Sequence, residues 1–285
     1  MKALRKLLFT LVLLLLAAVF VFAAWKLIAY YRETRQTQEK YEQLSALRGD
    51  VRPSRPPIVE EFPEETQPDG EPDPTEPTES PWITVIHPET GEEVQMLPEF
   101  EKPFLLNPEL VGWITIEGTN VDYPVVQSSV DHKDYYLRRD FYGNADSHGC
   151  IYAREQCDVF APSDNITIYG HRMRDHTMFG HLAKYEQKSF LEDHQYVYFD
   201  TLLERHTYQI AYVFVTSATP GEGFAYHSFV DGNVGQWAEF ISGCEKYSLY
   251  DTGVTIAPGD KLITLSTCEY THENGRLVIV AKLVA

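Results

Sequence analysis

Two short stretches of this sequence contain a cysteine in a setting that suits nucleophilic catalysis. The first, DSHGCIYAR over residues 146–154, places Cys150 directly after a serine, a histidine and a glycine. The second, ITLSTCEYTHENGRLVIVAKL over residues 263–283, places Cys268 at the end of an apolar run. A cysteine attacks a carbonyl carbon as the thiolate, so a catalytic thiol needs a nearby cation and a proton carrier.

The partners that such a thiol needs are easier to find for Cys268. A short polar loop, EYTHENG, leads from Cys268 to a second apolar run that begins near Arg276. If the two runs pair, Arg276 faces Cys268, where its guanidinium favours the thiolate and stabilises an oxyanion. His171 ends another strand-like run, NITIYGH, and is a candidate proton carrier. On spacing alone, Cys268 is also compatible with a buried structural thiol, and Arg276 with a solvated charge.

The elements that must position these residues are mainly β-strands. VGWITI and VDYPVVQ, separated by EGTN, predict a β-hairpin over residues 111–127. Further β-rich runs follow as far as the C-terminus, with helices expected at residues 178–193 and 233–248. About eight strands with few helices indicate a closed antiparallel barrel or a sandwich. Strand ends in a barrel can converge on one rim, which would bring the three candidate residues together.

The N-terminus carries an apolar run from Leu7 to Ala24, preceded by Lys2, Arg5 and Lys6. At ~1.5 Å per residue, such a run nearly spans a hydrocarbon core of ~30 Å. A cleaved signal peptide is the alternative, but the run is longer than the usual apolar core of ~7–15 residues. We therefore expect residues 1–30 to be an uncleaved membrane anchor, with the rest of the chain outside the cytoplasm.

Two segments separate this anchor from the β-rich domain. Residues 26–48 are polar with good helix formers and predict a juxtamembrane helix. Residues 52–81 are dense in proline and acids and cannot bury enough apolar surface to fold, so they predict an extended, disordered linker. The expected domains are the anchor at 1–30, the helix and linker at 31–81, and a catalytic domain at 82–285.

The overall composition limits the function further. The 285 residues carry a formal net charge of −18, which argues against nucleic acid as a partner because phosphate binding needs clustered Lys and Arg. Four cysteines are present, and none has the C-x-x-C spacing typical of zinc sites. An extracytoplasmic location permits disulfides, so a bridge between Cys150 and Cys157 stays open.

Taken together, TLSTCEY, IYGHRM and GRLVIVAKL resemble the active-site segments of the sortases, the cysteine transpeptidases that anchor proteins to the wall of Gram-positive bacteria. The family signature is T-L-x-T-C, an upstream histidine at a strand end and an arginine shortly after the cysteine, met here by Cys268, His171 and Arg276. The resemblance extends from about residue 100 to the C-terminus and is to class B. The other segments that carry it are NPELVGWITIEGTNVDYPVVQ, DYYLRRDFYGN and MFGHLAKYEQKSFLEDHQYVYFDT.

The resemblance implies a closed eight-stranded sortase β-barrel and a two-step acyl transfer. Cys268 would cleave a sorting motif of NPxTN or LPxTG type after its threonine, forming a thioester. An amine of a peptidoglycan precursor, or a pilin lysine, would then resolve that thioester. His171 would move the protons, and Arg276 would stabilise the oxyanion. The resemblance further implies substrate contacts at Leu137, Ser266 and Glu269. It implies no metal or organic cofactor.

Three other hypotheses compete with this interpretation. SHGCI resembles the cysteine motif of L,D-transpeptidases, but that family continues with arginine where this chain has Tyr152 and Ala153. A papain-like protease places its cysteine early and its histidine late, the reverse of the order found here. A non-catalytic surface adhesin fits an anchor, a spacer and a β-rich ectodomain equally well.

Overall fold

The computed structural model describes residues 2–49, 81–219, 221–269 and 274–285. Its first element is one continuous helix, α1 (Lys2–Arg48), which covers both the predicted anchor and the predicted juxtamembrane helix. This helix is long and apolar enough to cross a membrane, and its apolar window has no buried residues. The predicted linker over residues 52–81 lies outside the described residues, apart from Pro81.

A compact unit extends from Leu44 to the C-terminus and contains all the strands of the described structure. The last turn of α1 belongs to this unit. There the Ser45 hydroxyl donates to Asp122 Oδ2 at 2.8 Å. The guanidinium of Arg48 lies over the Trp113 ring, 4.9 Å from its centroid. A small hairpin follows, β1 (Ile83–Ile86) with β2 (Glu93–Met96), and then the short helix α2 (Glu101–Leu106).

The remaining eight strands close into a barrel, which confirms the predicted mainly β fold and excludes the sandwich. The strands are β3 (Leu110–Thr115), β4 (Asp122–Val126), β5 (Ile151–Ala153), β6 (Asn165–Tyr169), β7 (Tyr196–Thr201), β8 (Arg205–Ser217), β9 (Leu262–Glu269) and β10 (Gly275–Leu283). Around the barrel, neighbours follow the order β10-β8-β7-β3-β4-β5-β6-β9, and β9 closes the ring by pairing with β10. The predicted hairpin is confirmed as the antiparallel pair β3–β4. The expectation of a wholly antiparallel barrel is wrong, because β4–β5 and β6–β9 pair in parallel.

Two helical regions cover the barrel where the sequence predicts them. The first is divided, because Gln187 is extended between a 3-10 helix (Gly180–Glu186) and α3 (Lys188–Asp193). The second is α4 (Val234–Tyr247), which begins at Asn233 with a reciprocal capping box. Asn233 satisfies two backbone N–H groups that have no partner within the helix. The apolar face of α4 joins an aromatic cluster against β8 and β10.

The pairing that matters most for a site is the parallel one between β6 and β9. Tyr169 lies opposite Ser266, and the Gly170 N–H donates to the Ser266 carbonyl at 3.2 Å. Because parallel strands run in the same direction, the residues that follow β6 emerge at the same rim as the end of β9. At the other end of the pair, Thr264 Oγ1 donates to the fully buried Asn165 Oδ1 at 2.7 Å.

We expect Thr264→Val to destabilise the full chain in detergent micelles by about 1–3 kcal/mol. The substitution preserves shape but leaves the buried Asn165 Oδ1 without its donor, and an unsatisfied buried acceptor carries that cost. Urea unfolding followed by circular dichroism measures the change.

The matched control is Thr167→Val, on the strand residue paired with Thr264. Thr167 is equally buried, but its hydroxyl has no hydrogen-bond partner among the described residues. Thr167→Val should therefore leave the free energy of unfolding unchanged or raise it. Equal losses in the two variants would contradict a structural role for the Asn165–Thr264 bond.

Candidate active site

Cys268 and Arg276 lie directly opposite each other at one end of the barrel. They are paired Cα partners in the antiparallel β9–β10 ladder, as the sequence predicts. Directly opposite residues have Cβ atoms about 4.5–5.5 Å apart, within reach of an arginine side chain. Both side chains are partly exposed. The register of the two strands therefore places the two side chains on the same face of the sheet.

The Arg276 guanidinium is held by backbone carbonyls next to it. Its Nη1 donates to the carbonyl of Gly275 at 2.9 Å and to that of Asn274 at 3.4 Å. Asn274 has a positive φ of 55° at the turn into β10, a conformation that asparagine tolerates better than most residues. These two bonds give the side chain a fixed direction, and the residue remains partly exposed.

His171 follows β6 and is oriented by a short hydrogen bond. Its Nε2 lies 2.7 Å from the Leu137 carbonyl oxygen. A carbonyl oxygen can only accept, so the ring carries a hydrogen at Nε2 and leaves Nδ1 to exchange protons. Burial lowers the pKa of His171, and the hydrogen bond to Leu137 opposes that effect. Nearby positive charge on Arg138, His148 and Arg276 lowers the pKa further.

The three predicted catalytic residues line one cleft, with a volume of about 310 Å³. Gly170 allows the close approach that the cleft needs, because a Cβ there would lie 2.5 Å from Ile151 Cδ1 and 2.7 Å from Phe179 Cδ2. The barrel thus brings together residues from three separate parts of the sequence. A thiol, an imidazole and a guanidinium on one cleft can perform nucleophilic acyl transfer.

The predicted substrate contacts occupy different positions relative to this cleft. Leu137 and Ser266 both line it. The Leu137 side chain is 38% exposed, whereas Ser266 is 2% exposed and its hydroxyl lies 2.6 Å from that of Tyr226. Glu269 pairs through its backbone with Gly275, and its side chain is outside the described structure.

Several cleft residues were missed by the sequence analysis. Lys133, Arg154 and His227 line the same cavity as the candidate catalytic residues. Burial lowers the pKa of His227, and the charges of Arg154, Lys133 and Arg276 lower it further. The carboxylates of Asp134 and Glu155 line the same cleft, so cationic and anionic side chains meet there. No spacing pattern connects these residues, because they come from loops far apart in the sequence.

The other three cysteines are unsuited to nucleophilic attack. Cys150, Cys157 and Cys244 are buried, and the structure holds no disulfide among the four thiols, so the bridge left open for Cys150 and Cys157 is not formed. Burial raises the pKa of Cys157 and of Cys244. Cys150 is 1% exposed, although it forms part of the cleft wall.

Comparison with known proteins agrees with this geometry. The sortase domain family model matches residues 114–284. Sortase B of Staphylococcus aureus is 30% identical over 66% of this chain and 75% of its own length. Sortase B of Listeria monocytogenes is 33% identical over 63% of this chain and 71% of its own length.

Solved structures show the same similarity. A sortase B from Bacillus anthracis in complex with AAEK1 aligns with a TM-score of 0.64 and 26% identity, over 89% of this chain and 98% of that one. A Staphylococcus aureus sortase B–substrate complex aligns with a TM-score of 0.60 and 30% identity, over 66% of this chain and 85% of that one.

The closed barrel, with a cysteine and an arginine paired at its rim and a histidine just after the neighbouring strand, agrees with the family match and makes this chain a transpeptidase of the sortase type. The chain belongs to the sortase family, and within it to class B. This assignment replaces the L,D-transpeptidase, papain-like and adhesin hypotheses.

We expect a water-soluble thiol reagent to modify Cys268 much faster than the other cysteines in the folded protein. Cys268 is partly exposed, whereas the other three thiols are buried. Mass spectrometry of the full chain after brief iodoacetamide treatment should show one modified site. In Cys268→Ala, modification should fall to the slow background, and fast labelling of Cys150 would contradict the assignment of the accessible thiol.

Proposed function

We propose that Cys268 is the nucleophile of this sortase, His171 its general acid and base, and Arg276 its oxyanion-stabilising group. The observation that carries the proposal is the register pair Cys268–Arg276 with His171 on the same cleft. Leu137, Ser266 and Glu269 are proposed substrate contacts. Of these, Leu137 lines the cleft and is exposed. Ser266 is buried and its hydroxyl is hydrogen-bonded to that of Tyr226, so a peptide that contacts this hydroxyl would also contact Tyr226.

The first half-reaction forms the thioester. The thiolate of Cys268 adds to the carbonyl carbon of the threonine in a sorting motif, and the negative charge moves to the oxygen, where the Arg276 guanidinium stabilises it. The tetrahedral intermediate collapses with loss of the amine of the next residue. His171 gives that amine its proton from Nδ1, because Nε2 is engaged with the Leu137 carbonyl.

The second half-reaction transfers the acyl group. A primary amine of a peptidoglycan precursor, or a pilin lysine, adds to the thioester carbonyl as His171 Nδ1 takes a proton from the attacking nitrogen. Collapse of the second tetrahedral intermediate forms the new amide bond and releases the thiolate. A sorting motif of NPxTN or LPxTG type is the proposed donor.

The charge state of the Cys268–His171 pair sets which fraction of the enzyme is active at a given moment. An ordinary thiol with a pKa of ~8.5 beside an ordinary imidazole with a pKa of ~6.5 is a thiolate–imidazolium pair only about 1% of the time. Burial lowers the pKa of His171, which makes the imidazolium rarer still. Slow turnover is the expected consequence.

The proposed location follows from α1. We propose that residues 1–30 anchor the chain by a single span, that residues 31–81 form the juxtamembrane helix and linker, and that residues 82–285 act outside the cytoplasm at the cell envelope. The apolar, unburied character of the first part of α1 supports the anchor.

We expect the full chain to cleave a sorting-motif peptide after its threonine and, with an added amine, to form the corresponding amide. Cys268→Ala and His171→Ala should lower kcat/KM at least ~10³-fold because each removes a reacting group. Arg276→Lys should also lose at least ~10-fold, since an ammonium lacks the planar donor pair. Mass spectrometry of the products measures both reactions.

The matched control is Cys150→Ala, which removes a buried thiol from the same chain and should retain most of the activity. Cleavage that persists in Cys268→Ala would falsify the assignment of the nucleophile. Cleavage lost only in Cys150→Ala would restore the L,D-transpeptidase hypothesis.

We expect the acidic limb of the kcat/KM pH profile to lie below the ordinary imidazole pKa of ~6.5. The reactive protonation state of the pair forms as pH rises through the pKa of His171, and burial lowers that pKa, so activity persists to lower pH. Arg138→Gln removes a nearby positive charge that lowers the pKa of His171, so the acidic limb should move to higher pH at low salt. Arg139→Gln should leave the limb where it is. A limb above pH 6.5 in the unaltered chain would contradict the lowered pKa.

A further inference from the structure

The orientation of His171 depends on a main-chain atom of another segment. Its Nε2 hydrogen bond to the Leu137 carbonyl, at 2.7 Å, sets which ring nitrogen carries the hydrogen. Leu137 belongs to a single 3-10 turn (Tyr135–Arg138) with a positive-φ residue, Asp134, before it. Such a turn has little rigidity of its own, so something else must hold the carbonyl in place.

The segment that holds this carbonyl is Asp146–Gly149, the polar start of DSHGCIYAR, which is called the SHGC stretch below. The Asp146 N–H donates to the Arg138 carbonyl at 3.0 Å, and the Gly149 N–H donates to the Asp146 carbonyl at 3.3 Å. Immediately after the segment, the Cys150 N–H donates to the Tyr136 carbonyl at 3.0 Å. These bonds fasten both sides of the 3-10 turn that presents Leu137.

Gly149 makes this contact possible. Its φ is +63°, and a Cβ at this position would lie 2.6 Å from the Leu137 carbonyl oxygen and 2.9 Å from that of Tyr136. Both are backbone atoms, so a side chain here must displace the turn. The atom that a Cβ would strike is the same oxygen that accepts the His171 hydrogen bond.

Asp146 and His148 fix the shape of the segment. Asp146 Oδ1 accepts from the backbone N–H of His148 at 2.9 Å and from its ring Nδ1 at 3.1 Å. His148 is 1% exposed, and its Nε2 lies 3.9 Å from Asp175 Oδ2, in the loop that follows His171. Asp175 in turn accepts from the backbone and hydroxyl of Thr177. The segment therefore reaches both loops that surround His171.

We propose that Asp146–Gly149 is a positioning element for His171, which acts by holding the Leu137 carbonyl where it fixes the tautomer and direction of the imidazole. None of its side chains needs to touch the substrate. The SHGC stretch thus serves the Cys268 site indirectly, although its own cysteine is not the nucleophile. The effect on turnover rests on the proposed function, whereas the effect on the imidazole does not.

The test compares Gly149→Ala with Gly143→Ala in the full chain in detergent micelles. Both glycines have positive φ, +63° and +77°, so both substitutions carry similar backbone strain. A Cβ at Gly143 meets only the Tyr135 hydroxyl, at 3.5 Å. Only Gly149→Ala should therefore displace the Leu137 carbonyl.

The primary measurement is ¹⁵N NMR of histidine-labelled protein, with the His171 signals assigned from His171→Gln. In the unaltered chain Nε2 should be the protonated nitrogen. In Gly149→Ala the two ring nitrogens should move toward averaged shifts and the pKa of His171 should fall further, because the Leu137 bond raises it. Peptide turnover should fall roughly 10- to 100-fold in the same variant. Gly143→Ala should resemble the unaltered chain in all three measurements.

Unchanged His171 signals in folded Gly149→Ala, or equal changes in Gly143→Ala, would overturn the proposal. If Gly149→Ala does not fold, Asp146→Ala provides the test, because it removes the acceptor that shapes the segment without adding a clash. Its His171 signals should move in the same direction by a smaller amount, and unchanged signals in that folded variant would also overturn the proposal. If the signals move but no peptide is cleaved even by the unaltered chain, the positioning role stands and the proposed function fails.

Discussion

The parallel pairing of β6 with β9 is the constraint on which the site depends. β9 carries Cys268 at its end, and β6 leads through Gly170 to His171, so the common direction of the two strands delivers both groups to one rim. An antiparallel pairing would have placed them at opposite ends of the barrel. The pair is fixed by backbone hydrogen bonds and by the buried Asn165–Thr264 bond, which specifies the register because a slip would leave both polar groups unsatisfied.

Around this pair the rest of the barrel supplies partners and support. β10 pairs with β9 and places Arg276 opposite Cys268, while β8 pairs with the other edge of β10 and is covered by α4. The helices pack outside the sheet and leave the rim to loops. This division agrees with the general tendency of functional residues to lie on loops and strand ends held by a rigid scaffold.

The loops at the rim determine the chemical state of the site. Burial favours the neutral imidazole of His171, and the Leu137 carbonyl chooses its tautomer. The cleft lining combines the cations Lys133 and Arg154 with the carboxylates of Asp134 and Glu155, so its charge differs from the −18 of the whole chain. Local arrangement, rather than net charge, therefore governs what the cleft attracts.

Sequence patterns predicted the strands and the β3–β4 hairpin, and they indicated Cys268, His171 and Arg276 as the candidate catalytic residues. Alternation and apolar runs predict strands because side chains on a strand point to opposite faces, and the pairing of Cys268 with Arg276 follows from two adjacent strands joined by a short loop. The resemblance of TLSTC, IYGH and the following arginine to sortases identified the family. These are local properties of the chain or motifs within it.

Four features became visible in the folded barrel alone: its closure, the parallel β6–β9 contact, the burial of Cys150 and the hydrogen bond from His171 to the Leu137 carbonyl. Each of these depends on contacts between segments far apart in the sequence, which spacing and composition do not encode. SHGC illustrates the difference: its residue types suit a catalytic thiol, but its glycine and the neighbouring aspartate–histidine pair support the turn that orients His171. A residue type defines what a group can do, whereas packing decides which groups meet.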